Sequence, residues 1–209
     1  MNLEKSVRFH FPKSSRITDE TPSTSEDTLK TSDVMAALGM AQAEAGFGMS
    51  AFFGKIGVSL NDKSAAVSEL MKVARRRMIK TKGFNELSGH RRGRVIYLMS
   101  LFAYEDYCRT ADSPETRCKY CKGRGVVLDL VETERLNVRC VKPCSRCGGL
   151  GYKRLPASHL HRAIKAVVPD LSQPTFSRYY KPVFEELIEL CFKAESQAEH
   201  VLKKMTGKE

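Results

Sequence analysis

Two short stretches, CKYCKGRG at residues 118–125 and CSRCGGLG at residues 144–151, are copies of one cysteine-bearing turn. Two cysteines three positions apart on a tight turn reach the same ion, and two such turns complete the tetrahedral thiolate shell that Zn2+ prefers. The glycines in each turn free the backbone to aim N–H groups at the sulfur atoms. We therefore predict one zinc ion, held by Cys118, Cys121, Cys144 and Cys147.

Two alternatives compete for these cysteines. Cys140 lies four residues before Cys144 and could replace it as a ligand, although no glycine turn follows it. The pairs could also be redox dithiols, but a catalytic C-x-x-C follows a strand and opens a helix, whereas both of these pairs open glycine loops. A catalytic zinc keeps one coordination position open, and four cysteines leave none. The predicted metal is therefore structural.

The charge of the chain predicts a polyanionic partner. Lys and Arg number 35 against 24 acidic residues in 209, and the excess lies in residues 72–94 and 109–154. Nucleic acid fits this pattern better than an anionic membrane surface does. We expect no membrane span and no secretory signal, because no apolar stretch has the required length. The seven cysteines are then expected to be reduced, in a cytoplasm.

Outside the cysteine region the apolar periodicity is that of helices, so we predict a mainly α fold. Ser32 is expected to cap the first helix, and residues 46–57 form either a buried loop or a broken helix. Val126–Val131 and Asn137–Val141 read as the strands of a β-hairpin. Four parts follow: a mobile N-terminal arm at 1–32, a helical domain at 33–111, an inserted zinc module at 112–155, and a helix-turn-helix with a C-terminal helix at 156–209.

Two amphipathic helices are expected within the helical domain. The first begins at Asn61 or Asp62 and carries an apolar stripe that ends at Met78. Arg75 and Arg76 lie off that stripe, where they face solvent and can contact phosphate, although a charged face is also what ordinary solvation requires. The second helix, over residues 88–108, is apolar nearly all round and is expected to be buried.

The segment after the zinc module predicts a DNA-binding surface. A short helix ends at Pro169, a turn follows, and a second helix opens with Pro174 in its first turn. This order is that of a helix-turn-helix, although any two packed helices look similar. Gln can read adenine, Arg can read guanine, and Ser or Thr can hold phosphate. The candidate DNA-binding residues are Gln173, Thr175, Ser177, Arg178 and Lys181, together with Arg75, Arg76, Lys119 and Arg124. Pro182 is expected to kink or restart the helix.

Several of these segments together resemble a known family. They are DVMAALGMAQAEAGFGMSAFFGK at 33–55, AYEDYCR at 103–109, the two cysteine turns, YKRLPAS at 152–158 and LSQPTFSRYYKP at 171–182. This set is similar to the lambda-type phage late-gene antitermination protein Q family. The resemblance places the family's zinc cysteines on the same four positions. It implies a protein that binds DNA in a phage late promoter and engages paused RNA polymerase, including its β flap and σ region 4. Such a protein makes the polymerase read through terminators in the host bacterial cytoplasm.

No nucleophile–base arrangement, phosphate loop or pair of catalytic carboxylates is apparent, so we predict no enzymatic activity. Two rival functions stay open: a zinc-containing DNA-binding repressor without antitermination activity, and a zinc-dependent, chaperone-like scaffold. The missing His-Pro-Asp signature and the strong positive charge argue against the scaffold. DNA binding through several phosphates weakens steeply with salt, which separates it from binding of unfolded protein.

Overall fold

The computed structural model describes residues 31–81 and 83–206, and this part of the chain is mainly helical. The arm predicted at 1–32 lies outside the described residues except for its last two positions. No helix in the described part is both long and apolar enough to cross a bilayer. The elements in chain order are α1 (Thr31–Glu44), α2 (Gly46–Lys55), α3 (Leu60–Met78), α4 (Gly89–Tyr107), β1 (Val126–Leu128), α5 (Leu130–Leu136), β2 (Val141–Pro143), α6 (Ala157–Lys165), α7 (Gln173–Thr175), a π-helical segment (Phe176–Tyr180) and α8 (Lys181–Met205).

The described residues group into two compact units, 31–73 with 189–206, and 74–188. The four parts predicted from the sequence divide the chain at other positions and stay a prediction about its organisation. The first unit has an apolar core formed by α1, α2 and the end of α8. Its buried members are Ala37, Leu38, Ala41, Ala45, Met49, Phe52, Phe53, Ala198, Val201 and Leu202.

Residues 46–55 form helix α2, so this glycine-rich stretch is helical and is not a buried loop. Gly48 has a packing role, because a Cβ there would lie 2.1 Å from the carbonyl oxygen of Ala194 in α8. The side chains of Lys55 and Glu195 form an ion pair at 3.1 Å between the same two helices. The expectation that Ser32 precedes α1 as its cap is wrong, since α1 already includes Thr31.

Helix α3 carries the predicted apolar stripe, with Val67, Leu70, Ala74 and Met78 buried. It begins at Leu60, slightly before the predicted start, because the Ser59 hydroxyl accepts a hydrogen bond from the backbone N–H of Asp62 at 3.3 Å. Helix α4 packs against α6 in the second unit. It is buried along one face, so the prediction of a buried helix holds for that face. Its first turn is exposed, so the prediction that it is apolar nearly all round is too broad.

The helix type changes just before Pro182, in line with the expectation that this proline kinks or restarts the helix: a π-helical segment, Phe176–Tyr180, ends there and α8 begins at Lys181. The backbone N–H of Lys181 donates to the carbonyl of Phe176, five residues earlier, and α8 then continues to Met205. Proline lacks an N–H and its ring clashes with the carbonyl four residues before it. Widening the preceding turn relieves that clash without ending the helix.

The segment predicted to be a zinc module, residues 112–155, contains the predicted antiparallel strand pair, but its strands are shorter than expected. Val126 pairs with Pro143, and Leu128 pairs with Val141. Val131 and residues 137–140 are not in strands, because the short helix α5 fills most of the connection and Asn137 ends it with φ 52°. Asparagine tolerates this left-handed conformation better than most residues do.

Candidate functional site

The structure brings the sulfur atoms of Cys118, Cys121, Cys144 and Cys147 to within 4.8 Å of one another. Two sulfur pairs are closer, Cys118 to Cys144 at 4.0 Å and Cys121 to Cys147 at 3.8 Å. A tetrahedral site with Zn–S bonds of about 2.3 Å has sulfur atoms roughly 3.8 Å apart. The four cysteines are therefore positioned to bind one metal ion, and their burial leaves no open side for a substrate.

The two cysteine turns, residues 118–125 and 144–151, make reciprocal hydrogen bonds with each other. The backbone N–H of Cys118 donates to the carbonyl of Gly151, and that of Cys144 donates to the carbonyl of Gly125, both at 2.8 Å. Gly125 N–H donates to the Cys121 sulfur and Gly151 N–H to the Cys147 sulfur, both at 3.3 Å. Each turn therefore supports the other through the same set of bonds.

Glycine is required where the two turns touch. A Cβ on Gly125 would lie 2.3 Å from the carbonyl oxygen of Gly149, and a Cβ on Gly151 would lie 2.4 Å from that of Gly123. Both residues also have positive φ angles, 74° and 81°. The repeated glycine pattern in the sequence thus serves a close backbone approach as well as turn geometry.

The environment separates the pKa values of two of the thiols. A hydrogen bond with the backbone of Cys121 lowers the pKa of the Cys118 thiol to about 7, against the opposing effect of burial. Burial raises the pKa of the Cys147 thiol to about 11. Metal binding requires the thiolate form, so the ion displaces the remaining thiol protons as it binds.

Cys140, the alternative ligand, lies outside the four-sulfur cluster. Its backbone carbonyl accepts a hydrogen bond from the N–H of Asp129 at 2.9 Å, which places it in the strand connection. Cys191 is buried in α8, whereas Cys108 at the end of α4 is only partly buried. Among the described residues, the cysteine positions that meet around one point are those of the two turns.

The segment that follows the second cysteine turn is hydrogen-bonded to α4 through a buried carboxylate. Asp106, which is 2% exposed, accepts a hydrogen bond from the Arg154 Nε at 3.0 Å and another from the backbone N–H of Leu155. The Arg109 side chain, just beyond α4, donates to the carbonyl of Lys153 at 3.0 Å. These contacts fix the positions of Lys153, Arg154 and Leu155, which lie just before α6 in the chain.

The segments on either side of the predicted turn pack together. The rings of His161 in α6 and Phe176 lie 4.9 Å apart, and Leu171 between them in sequence is buried. Ser172 caps α7, because its hydroxyl accepts a hydrogen bond from the Thr175 N–H at 3.3 Å. The side chain of Thr175 is half-buried against this cap and lies 2.8 Å from the Ser172 hydroxyl.

The remaining predicted DNA-binding residues are exposed. Gln173, Ser177, Arg178 and Lys181 face solvent, while Phe176 and Tyr180 point inward and are buried. Burial raises the pKa of the Tyr180 hydroxyl. Arg75 and Arg76 are exposed on α3, and Arg75 lines a cavity of about 240 Å3 together with Arg92. In the first cysteine turn Lys119 is exposed, and the Arg124 Nε donates to the carbonyl of Cys121 at 3.3 Å.

Sequence reasoning missed Asp106 and Arg154, although both fall in segments that carry the family resemblance. They are 48 positions apart, and no periodicity joins them. It also passed over Lys122, whose φ of 52° is unusual for a residue with a Cβ. An alignment of the two cysteine turns shows that Lys122 occupies a position where the other turn has glycine, Gly148.

Comparisons with known proteins identify the family of this chain. The model of a family described as Antitermination protein Q matches residues 23–111 and 112–199. The chain is 44% identical over 206 residues to "Antitermination protein Q" of Escherichia phage lambda, covering 99% of this chain and 100% of the relative. It is 44% identical to the protein of the same name from Escherichia phage HK022, over 97% of this chain and 98% of the relative. The same name and 44% identity apply to a protein of Salmonella phage P22, over 99% of this chain and 100% of the relative. The chain belongs to the antitermination protein Q family.

Proposed function

We propose that this protein is a phage transcription antiterminator. It binds duplex DNA at a late promoter, engages paused host RNA polymerase through the β flap and σ region 4, and makes the polymerase read through terminators. Family membership over nearly the whole chain supports the antitermination activity. The protein acts in the bacterial cytoplasm as a regulatory factor and has no enzymatic activity.

DNA is bound by a helix-turn-helix formed by α6, the turn after it, and the helix that opens at Gln173. The observation that carries this proposal is the division of faces on the second helix. Phe176 and Tyr180 anchor it from within, while Gln173, Ser177 and Arg178 are exposed together. We assign base contacts to Gln173 and Arg178, and phosphate contacts to Thr175, Ser177 and Lys181. Arg75, Arg76, Lys119 and Arg124 add further phosphate contacts.

The metal is one structural Zn2+, and its module acts as a spacer with fixed geometry. Four buried thiolates suit Zn2+ and exclude a catalytic role. The module at 112–155 links the helical domain at 33–111 to the helix-turn-helix at 156–209. Through the contacts of Asp106 with Arg154 and Leu155, it determines where α6 begins relative to α4.

The decisive experiment is transcription in vitro from a cognate late promoter through a terminator, with and without the protein. We expect increased readthrough that depends on the promoter element. Unchanged readthrough, with the protein bound to the promoter, would instead identify a DNA-binding repressor. Binding that does not change with salt would argue for the chaperone-like scaffold.

A further inference from the structure

The two cysteine turns have similar backbone conformations but carry different outward side chains. The positions correspond at an offset of 26, so that Tyr120 matches Arg146 and Lys122 matches Gly148. The first turn also has Lys119 where the second has Ser145. Both turns make the same hydrogen bonds to sulfur and to each other. The outward side chains of the first turn are therefore not required by the metal site.

Lys122 occupies a position that suits glycine better. Its φ is 52°, and the matching Gly148 has a φ of 61°. Residues with a Cβ are strained in this left-handed region, whereas glycine is not. Nothing lies within 4 Å of a Cβ built on Gly148, so the strain is that of the backbone alone. A lysine is therefore less favourable here than glycine, and strained backbone of this kind is found mostly at functional sites.

Tyr120 provides the second half of the argument. This residue is 63% exposed, whereas tyrosine is on average intermediate between buried and exposed. The neighbouring Lys119 and Lys122 are exposed too, and neither forms an ion pair within the part of the chain that the structure describes. The backbone of this turn is held by hydrogen bonds from Gly123 N–H to the Cys118 carbonyl and from Arg124 N–H to the Cys121 carbonyl. The exposed Tyr120 ring and the ammonium groups of Lys119 and Lys122 are therefore carried by a turn whose backbone is held by hydrogen bonds.

We propose that the first cysteine turn binds a single-stranded segment of nucleic acid. An unpaired base stacks on Tyr120, and the flanking phosphates contact Lys119 and Lys122. Stacking of this kind needs an unpaired base, because bases within a duplex expose only their edges in the grooves. The site does not include Gln173 or Arg178, but it shares Lys119 with the proposed phosphate contacts, and it rests on the proposed function in taking nucleic acid as the partner.

The test uses the full-length, zinc-loaded protein and short labelled oligonucleotides. Anisotropy is measured with single-stranded DNA, with RNA of the same sequence, and with the corresponding duplex that lacks the promoter element. Tyr120→Ala should weaken single-strand binding about tenfold, and Tyr120→Phe should retain it because the ring still stacks. Lys122→Gly should weaken it about threefold while the melting temperature stays equal or rises. Zinc content should be unchanged in all three variants.

Lys193→Ala is the matched control, since it removes one exposed positive charge from α8. It should bind single strands like the wild type. Wild-type affinity in both Tyr120→Ala and Lys122→Gly would overturn the proposal. An equal loss for single strand and duplex would overturn it as well, because it would assign both residues to phosphate alone. A preference for RNA identifies the strand as a transcript, and a preference for DNA identifies it as melted duplex; both support the site. Failure of readthrough in the transcription assay, with single-strand binding intact, would contradict the antitermination function and leave this site standing.

Discussion

The carboxylate of Asp106 in α4 holds the guanidinium of Arg154, with the Arg154 Nη2 2.9 Å from Asp106 Oδ2. Asp106 is almost fully buried, whereas the Arg154 side chain is 50% exposed. The other carboxylate oxygen accepts a hydrogen bond from the backbone N–H of Leu155, two residues before α6. One acidic residue thus joins the helix before the zinc module to the chain after it.

Asp106→Ala should lower the free energy of unfolding by about 2–3 kcal/mol, because it removes hydrogen bonds to a charged group and leaves the Leu155 N–H without its partner. Asp106→Asn retains an acceptor for that N–H and should cost about 1–2 kcal/mol. Chemical denaturation measures both values. If these variants keep their zinc but lose promoter binding, the carboxylate positions the helix-turn-helix. Undiminished promoter binding in Asp106→Ala would show that the contact is not needed for that orientation.

Loss of the metal should unfold the module and abolish promoter binding without removing either of the proposed base contacts, Gln173 and Arg178. Cys144→Ser, or chelation of the wild type, breaks the four-thiolate shell on which the two turns depend. Zinc content, circular dichroism and promoter binding are measured on the same samples. Cys140→Ser is the matched control, since Cys140 lies outside the cluster, and it should keep one zinc per chain. Normal promoter binding by zinc-free protein would contradict the architectural role of the metal.

Gly125→Ala and Gly151→Ala should each destabilise the module by about 3 kcal/mol or more, because the added methyl group meets a backbone carbonyl and the φ angle is unfavourable. Gly93→Ala in α4 provides a comparison, since the built Cβ there contacts nothing within 4 Å. It should raise stability by about 0.5–1 kcal/mol through helix propensity. Thermal melts and zinc retention distinguish these cases, and tolerance of alanine at 125 would show that the two turns can separate.

Gln173→Ala and Arg178→Ala should each weaken promoter binding by about 1–3 kcal/mol and relax specificity at one base position. Binding to a panel of promoter duplexes with single substitutions measures this effect. Lys181→Ala should weaken binding to all of these duplexes alike and reduce the salt dependence, as expected for a phosphate contact. A uniform loss in Gln173→Ala and Arg178→Ala would reassign these residues from bases to phosphate.

Local chemistry explains why much of this protein could be predicted. The spacing of Cys118, Cys121, Cys144 and Cys147 is a property of short turns, so the sequence alone predicts that these four cysteines lie close enough to bind one metal ion. The stripe of α3 and the inward positions of Phe176 and Tyr180 follow from helical periodicity, which needs no knowledge of the partner helix. The strands of the hairpin were less well predicted, because β propensity in short runs competes with helix formation in α5.

What the sequence by itself determined is the mainly helical class, the four cysteines that are positioned to bind a metal ion, the concentration of positive charge and the family. Only the tertiary structure shows which residues contact each other across the fold. Asp106 pairs with Arg154, Gly125 lies against Gly149, and α2 packs closely on α8 at Gly48 and Ala194. The structure also revealed the left-handed backbone of Lys122, which is visible only in a dihedral angle. These relationships join residues far apart in the chain or depend on backbone geometry, and neither leaves a periodic pattern in a single sequence.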